Sequence, residues 1–399
     1  MLAALAGCRA ERGAVAAPLS AAWILKWSVV SAIFTPGCSN DVPHSDRNLE
    51  RRPIPVALEA ESDSSLHLST IAGIAVDSKG VVYVHELFRE HITVLNRDLT
   101  YRQTIGRSGE GPGEFAYITR IAVLASDSLF VYDRELGRIT IFDPTTMRLA
   151  RQLPGPWVDR PRGQRWITHE VSRFVDSPAY LGVARRQLYA SGDADGEQAL
   201  PADIILSVDR TGVYRDSVLA VPSPERLVAR RPGRVAVGPH PFGRTSWIRP
   251  LRRNRFVYAN SGQFDVLVSD ITGDTVQSIS YPTTPLPVTT EQMDTHISDL
   301  RPELAAVLLD GAPYTWPPLV GLVVGSGVRS ISIWVGIRGR SGDATWEWAG
   351  FTEAGEYVGS VNLPLDHRLM AVRDGTLLSA SGNALGVPRI HAYRVIGHD

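Results

Sequence analysis

Polar side chains recur at one kind of position in this chain, at or just after the end of a short β-type run. Two carboxylates, Glu86 and Asp133, occupy this position early in the sequence, and two amides, Asn260 and Asn383, occupy it further on. Carboxylate and amide oxygens are ligands that calcium and other hard divalent cations prefer. Arg338 stands at the same kind of position in a later segment. These five positions have two interpretations. They either form a ligand-binding face that holds a divalent ion, or they are ordinary polar residues at the turns of the fold.

An internal repeat relates these positions to one another. Residues 71–95 align with residues 118–142 at a constant offset of 47 residues, so that Glu86 falls on Asp133. Each unit contains short β-branched and aromatic runs separated by turn residues, which is the content of a propeller blade. Four weaker units follow. The predicted fold is therefore all-β: a six-bladed β-propeller with four-stranded antiparallel blades.

The strongest helical signal lies ahead of the predicted fifth blade. Residues 290–309 have a helical pattern, Thr289 or Thr290 provides an N-cap, and Pro302 begins a second short helix that ends at Asp310. The sequence therefore predicts a short helical insertion. Insertions of this kind lie on a face of a propeller, where they cover the channel or offer a docking surface.

The overall charge is nearly balanced, with 41 basic and 42 acidic residues and a net charge of −1. This balance argues against a nucleic-acid binder, because such proteins usually carry a clear positive excess. A local exception is the stretch from Arg226 to Arg255, which contains nine arginines and no acid. It predicts either a patch for an acidic partner or solvated loop arginines.

The N-terminal segment has the order of a bacterial lipoprotein signal. Lys26 precedes the apolar run Trp27–Phe34, and Cys38 follows it closely. We predict a signal or lipoprotein signal at 1–38 with lipidation of Cys38, a polar tether at 39–64 and the propeller at 65–399. The alternative is an ordinary signal in which Cys38 is incidental. The predicted location is the periplasm or the cell envelope.

Two motifs resemble a phosphate-binding loop and a zinc-protease site, but the residues around them argue against both. The glycine-rich run Gly106–Phe115 could cradle a phosphate, but it lacks the lysine and the following helix of a nucleotide loop. It predicts instead a turn between blades, with Phe115 packed on the next blade. His85 and His91 are six residues apart on predicted strands, which excludes the one-face geometry of a helical zinc-protease motif.

The run Gly106–Phe115 and the blade core at 131–139 resemble NHL-type propellers, and residues 65–396 as a whole resemble TolB-like bacterial envelope proteins described as six-bladed β-propellers. The resemblance implies that residues of the Asp133 and Arg138 type brace a blade. It also implies a second possibility, because some six-bladed sugar lactonases hold one divalent metal with a comparable set of acids and amides.

We therefore predict a non-catalytic binding or scaffolding propeller at the bacterial cell envelope. It would recognise a protein, a peptide or a glycan through loops on one face, without a cofactor, without a nucleic-acid partner, and with membrane contact through a lipid anchor alone. The alternative is a metal-dependent, lactonase-like hydrolase or lyase with calcium or another divalent ion in the central channel, bound by Glu86, Asp133, Asn260 and Asn383. The sequence leaves open whether the chain is an enzyme.

Overall fold

The structure is a computed structural model that describes residues 52–156, 166–174, 177–186, 202–231, 234–339, 343–382 and 386–397. Within these ranges the chain forms the predicted all-β propeller, with six antiparallel blades of four strands each. The first described strand is β1 (Val56–Glu61). The first three blades consist of β2 (Ile71–Val76), β3 (Val82–Glu86), β4 (Ile92–Leu95), β5 (Tyr101–Ile105), β6 (Ile118–Val123), β7 (Leu129–Asp133), β8 (Arg138–Phe142), β9 (Leu149–Pro154), β10 (Trp166–Arg173), β11 (Tyr180–Arg186), β12 (Ala202–Val208) and β13 (Tyr214–Pro222).

The second half of the chain adds three blades and two insertions. A hairpin precedes the fourth blade, and two helices between two short strands precede the fifth. The elements are β14 (Arg226–Arg231), β15 (Arg234–Pro239), β16 (Ser246–Pro250), β17 (Arg255–Asn260), β18 (Asp265–Asp270), β19 (Thr275–Ser280), β20 (Leu286–Pro287), α1 (Thr290–Ser298), α2 (Pro302–Asp310), β21 (Thr315–Trp316), β22 (Leu319–Val328), β23 (Ile331–Ile337), β24 (Thr345–Phe351), β25 (Tyr357–Pro364), β26 (Arg368–Arg373), β27 (Thr376–Gly382) and β28 (Pro388–Val395).

The innermost strands of the blades surround a central channel. They are β2, β6, β10, β16, β22 and β26, and each contacts the next until β26 meets β2 again. Between the last two blades this contact becomes a parallel pair at Ser326 and Arg373, which joins both blades into one eight-stranded sheet. The closed ring of six inner strands establishes the blade number.

Strand β1 closes the ring, because it forms the outermost strand of the sixth blade. It pairs antiparallel with β28, from Val56 opposite Val395 to Glu61 opposite His391. Residues 39–64 were predicted to be a polar tether, and for residues 56–61 that prediction is wrong. Most side chains of β1 are exposed or half-buried, so this edge strand lacks the apolar alternation that reveals a strand in a sequence.

The glycine-rich run between the first two blades forms the predicted turn. Gly106 has a φ of +80°, and a Cβ atom there would lie 2.4 Å from the Phe115 ring, which is fully buried against Phe142. The Arg138 guanidinium donates hydrogen bonds to the carbonyls of Glu110, Gly111 and Glu114 within the run. Arg138 therefore braces the loop between the first two blades.

The helical insertion has the predicted capping residues. The Thr289 hydroxyl accepts a hydrogen bond from the Gln292 amide, the Gln292 side chain accepts one from the Thr289 amide, and Pro302 is the first residue of α2. Neither helix, nor any other helix in the described ranges, is long and apolar enough to cross a membrane. The predicted signal, the lipidation site Cys38 and most of the predicted tether lie outside the described residues.

Candidate functional site

The predicted site residues within the described ranges lie on one face of the propeller. In each blade the start of the inner strand pairs with the end of the second strand, as in the pairs of Ile71 with Glu86, Ile118 with Asp133 and Ser246 with Asn260. We call the face where the inner strands begin the front face, and the face where they end the back face. Arg338 follows the second strand of the fifth blade. Asn383 lies outside the described residues.

Both predicted carboxylates are engaged with their own blades. Glu86 is 4% exposed; one oxygen accepts a hydrogen bond from the Ser69 amide at 2.6 Å, and the other accepts one from the Thr93 hydroxyl at 3.1 Å. These bonds tie the second strand of the blade to its third strand and to the segment that enters its first strand. The carboxylate thus satisfies the half-buried amide of Ser69.

Asp133 does the same in the second blade with more partners. Its side chain is fully buried and accepts hydrogen bonds from the amides of Ala116, Tyr117 and Leu136 at 2.7, 3.1 and 2.9 Å. A carboxylate with three backbone amides is a structural brace. A metal ion could bind it only in competition with those amides.

The amide Asn260 makes equivalent local contacts. Its oxygen accepts a hydrogen bond from the Gly262 amide at 2.9 Å, and its nitrogen donates one to the Ser246 hydroxyl at 3.2 Å. In the described part of the chain, no three His, Cys, Asp or Glu side chains are grouped so that they could hold a metal ion.

Arg338 joins the fifth blade to the helical insertion. Its guanidinium lies over the Trp316 ring, 4.4 Å from the centroid, and its Nε donates a hydrogen bond to the Pro317 carbonyl at 3.1 Å. Burial lowers the pKa of this guanidinium below its usual value. An arginine stacked on an indole in this way holds the base of the insertion against the blade.

The two insertions pack on each other and form a separate small core. It contains Leu227 of β14, Met293 of α1, and Leu304 and Leu308 of α2. Phe242 sits among them, with its ring centroid 4.8 Å from that of Trp316. Both insertions connect the outer strand of one blade to the inner strand of the next, so they enlarge the front face. The sequence predicted the helices but not the hairpin that supports them.

An exposed aromatic side chain stands elsewhere on the front face. Phe88 lies in the turn after β3, is 71% exposed and has a φ of +60°. Its ring centroid is 6.1 Å from that of Tyr117, and the Arg134 guanidinium lies 4.4 Å from the Tyr117 centroid. We call these three residues the aromatic patch. The sequence analysis missed it, although the apolar pair Leu87-Phe88 in an otherwise polar turn was a usable signal.

A cavity of about 1120 Å³ runs along the inner strands in the middle of the ring. Its lining includes arginines that no part of the sequence analysis singled out as site residues, among them Arg120 and Arg368. The arginine-rich stretch 226–255 is divided by the fold. Arg249 lines the cavity, whereas Arg230 is exposed on β14.

Comparison with a known protein family supports the propeller fold. Residues 56–159, about a quarter of the chain, match the model of a family described as 6-bladed beta-propeller. No curated protein matches the chain. One similar solved structure is a Bacteroides fragilis protein that is described as a suspected exported protein. It is 11% identical to this chain, and the TM-score is 0.49 over 88% of this chain and 98% of that one.

Two further structures show the same level of similarity. U3-55K is 11% identical, with a TM-score of 0.45 over 86% of this chain and 99% of that one. The virginiamycin B lyase from Staphylococcus aureus is 10% identical, with a TM-score of 0.42 over 86% of this chain and 100% of that one. Likenesses as distant as these say nothing about what the present chain binds or converts.

Proposed function

We propose that this chain is a non-catalytic binding propeller of the NHL-like type that works at the bacterial cell envelope and recognises a protein or a peptide through its front face. The observation that carries the proposal is the aromatic patch, in which Phe88 is 71% exposed and held in a left-handed turn. Its neighbours Tyr117 and Arg134 are of the residue types that dominate the binding energy of protein interfaces.

The conformation of Phe88 is unfavourable in the isolated chain. A positive φ is a rare conformation for a bulky side chain, and most of the ring remains in contact with water. Strained residues of this kind concentrate at sites that bind other molecules. A partner that covers the ring would gain the free energy of its burial, since the ring is already held in place.

The insertions support the same face. The hairpin and the helices pack into a core of their own, which closes neither the ring nor any blade. Added structure between blades is where propellers and other rigid scaffolds carry recognition loops. The proposed envelope location depends on the N-terminal sequence, in which the apolar run before Cys38 is typical of an exported lipoprotein.

Site-specific photo-crosslinking in the native organism tests the proposal. A benzoylphenylalanine at position 88 should capture a partner, whereas the same residue at position 213 should not. Val213 is a suitable control because it is 49% exposed in a turn at the opposite end of its strands. Phe88→Ser should abolish adducts formed from a second crosslinker at Arg134, without a change in melting temperature.

Four results would contradict the proposal. Equal amounts of adduct at both positions, or no adduct at either, would show that the front face is not the recognition surface. An adduct that survives protease treatment but is removed by glycosidases would identify the partner as a glycan and not a protein. Recovery of the native protein in the cytosolic fraction would refute the envelope location.

The alternative, a calcium-dependent or other metal-dependent hydrolase, requires Glu86 and Asp133 to exchange their backbone amides for the ion. A calcium titration distinguishes it. A melting temperature that rises with calcium in the wild type but not in Glu86→Gln would favour the enzyme.

A further inference from the structure

Arginine side chains are concentrated in the central cavity. Seven arginines from five blades line it, whereas Glu353 is the one carboxylate among the lining residues of the described ranges. The chain as a whole has nearly equal numbers of basic and acidic residues. The positive charge of the cavity is therefore a local feature of the fold and does not reflect the overall composition.

Two of these arginines lie beside a carboxylate, and the charge of a third acts on one of them. Arg120 and Arg249 each approach Glu170, with N···O distances of 3.4 and 3.6 Å. Arg368 belongs to the same group, because its charge acts on Arg249, and it donates a hydrogen bond to the Ile71 carbonyl at 3.1 Å. We call Arg120, Arg249 and Arg368 the arginine triad. With Glu170 it has three positive charges and one negative charge.

The electrostatics reflect this imbalance. Burial, together with the positive charges of Arg120 and Arg368, lowers the pKa of Arg249 to about 10. Burial alone would raise the pKa of Glu170, but Arg120 and Arg249 lower it overall. The guanidinium groups thus repel one another, and Glu170 relieves that repulsion only in part.

The triad also has unused hydrogen-bonding capacity. Nε of Arg120 is buried and has no hydrogen-bond partner among the described residues. The two contacts to Glu170 are longer than the 2.7–2.9 Å of a charge-assisted hydrogen bond. Guanidinium groups present planar donor pairs that match carboxylate and phosphate oxygens. A second anion would therefore find donors that Glu170 does not saturate.

The back face provides an approach to the triad. Arg252 and Arg329 are exposed in the turns that follow β16 and β22, at the mouth of the cavity. Arg373 at the same mouth is already neutralised, since Asp127 and Asp374 lie 3.6 and 3.5 Å from its guanidinium. Like charges at the mouth of a cleft raise the local concentration of oppositely charged solutes.

We propose that the central cavity binds a small organic oxyanion with at least two negative charges, as carboxylate or phosphate groups, through the arginine triad, and that Glu170 is an internal anion that competes with this ligand. The site is separate from the aromatic patch and does not depend on the proposed function. A cavity of about 1120 Å³ has room for such a molecule and its hydration water.

Isothermal titration of the full-length chain at low ionic strength tests the site. Citrate serves as the carboxylate probe and inorganic pyrophosphate as the phosphate probe, so that the two sources of the charge are distinguished. We expect at least one probe to bind, and we expect Arg249→Gln and Arg120→Gln to weaken it at least tenfold. Arg230→Gln is the matched control, because it removes an exposed arginine outside the cavity, and its affinity should equal that of the wild type.

Glu170→Gln makes the test independent of any loss of positive charge. It keeps all three guanidinium groups and removes the competitor, so the affinity should rise several-fold. Absence of binding to the wild type, equal weakening by Arg230→Gln, or unchanged affinity in a folded Glu170→Gln variant would each overturn the proposal. If an arginine variant fails to fold, as judged by its melting curve, the Glu170→Gln result alone decides.

Discussion

Glu61 and Arg389 form an ion pair that connects the first strand of the propeller to the last. Glu61 lies opposite His391 in the strand register, and its other oxygen is 3.7 Å from Nδ1 of that histidine. The Ile390 amide donates a hydrogen bond to the Ser62 hydroxyl at 2.9 Å beside this pair. The ring is thus closed by a strand taken from the N-terminal end of the described chain, so the stability of the whole toroid depends on a short segment.

The first prediction concerns that closing segment. Ile54 is 3% exposed, and its amide donates a hydrogen bond to the Ser360 carbonyl of the fifth blade at 2.7 Å. Ile54→Ala should lower the free energy of unfolding by about 2–4 kcal/mol, because it leaves a cavity in a buried contact. Denaturant unfolding measures the change. Leu58→Ala, at a 53% exposed position of the same segment, should alter stability by less than about 0.5 kcal/mol. An Ile54→Ala protein as stable as the wild type would show that the segment does not seal the ring.

The second prediction separates bracing from catalysis. Asp133→Ala removes the acceptor of three backbone amides and should destabilise the protein by about 3 kcal/mol or more. Thermal unfolding without added metal measures it. Glu135→Ala changes an exposed carboxylate in the same turn and should be neutral. A fully stable Asp133→Ala protein would contradict the bracing role and favour a role in binding.

The third prediction is a loss of stability in acid. Burial, with a smaller contribution from neighbouring His367, lowers the pKa of His391 to about 4, against an ordinary value of 6.5. Between these two pH values the unfolded chain binds the proton and the folded chain does not. Stability from this group is therefore complete above pH 6.5 and is lost as the pH falls toward 4, by at most about 1.4 kcal/mol per pH unit.

Unfolding curves recorded from pH 7 to pH 4 measure this loss. His391→Gln should make the decline shallower, whereas His67→Asn, at an exposed position in a left-handed conformation that asparagine tolerates, should retain the full slope. Identical slopes in the wild type and His391→Gln would show that the histidine is protonated as easily in the folded protein as in the unfolded chain.

The fourth prediction concerns the insertions. Leu308 is fully buried in the small core formed by the hairpin and the helices. Leu308→Ala should lower the opening free energy of the insertions by about 2–4 kcal/mol, and faster hydrogen exchange in α1 and α2 should report it while the blades stay protected. Leu309→Ala, at a position 54% exposed on the same helix, should leave the exchange unchanged. Loss of protection throughout the blades would mean that insertions and ring unfold as one unit.

Much of the fold could be predicted because it is repeated and local. The 47-residue offset, the turn at Gly106 and the caps at Thr289 and Pro302 depend on short-range backbone preferences that residue types reveal directly. The closing strand was missed, since an edge strand with exposed side chains resembles a tether. The sequence analysis found the positions of Glu86 and Asp133 on the front face, but it could not tell that nearby amides engage both carboxylates.

The sequence by itself determined the propeller fold and the helical insertion, because strand-forming runs and turns recur along the chain, whereas the closed ring of six inner strands fixed the blade number. Only the tertiary structure decided which charges meet. Arg120, Arg249 and Arg368 are far apart in the chain, and each is an ordinary polar residue of a strand. Closure of the ring brings Arg120 and Arg249 beside Glu170 and brings Arg368 near enough for its charge to act on Arg249, since every blade contributes its inner strand to the same channel. In the same way, the exposure of Phe88 is decided by the turn it occupies and by the absence of covering side chains among the described residues.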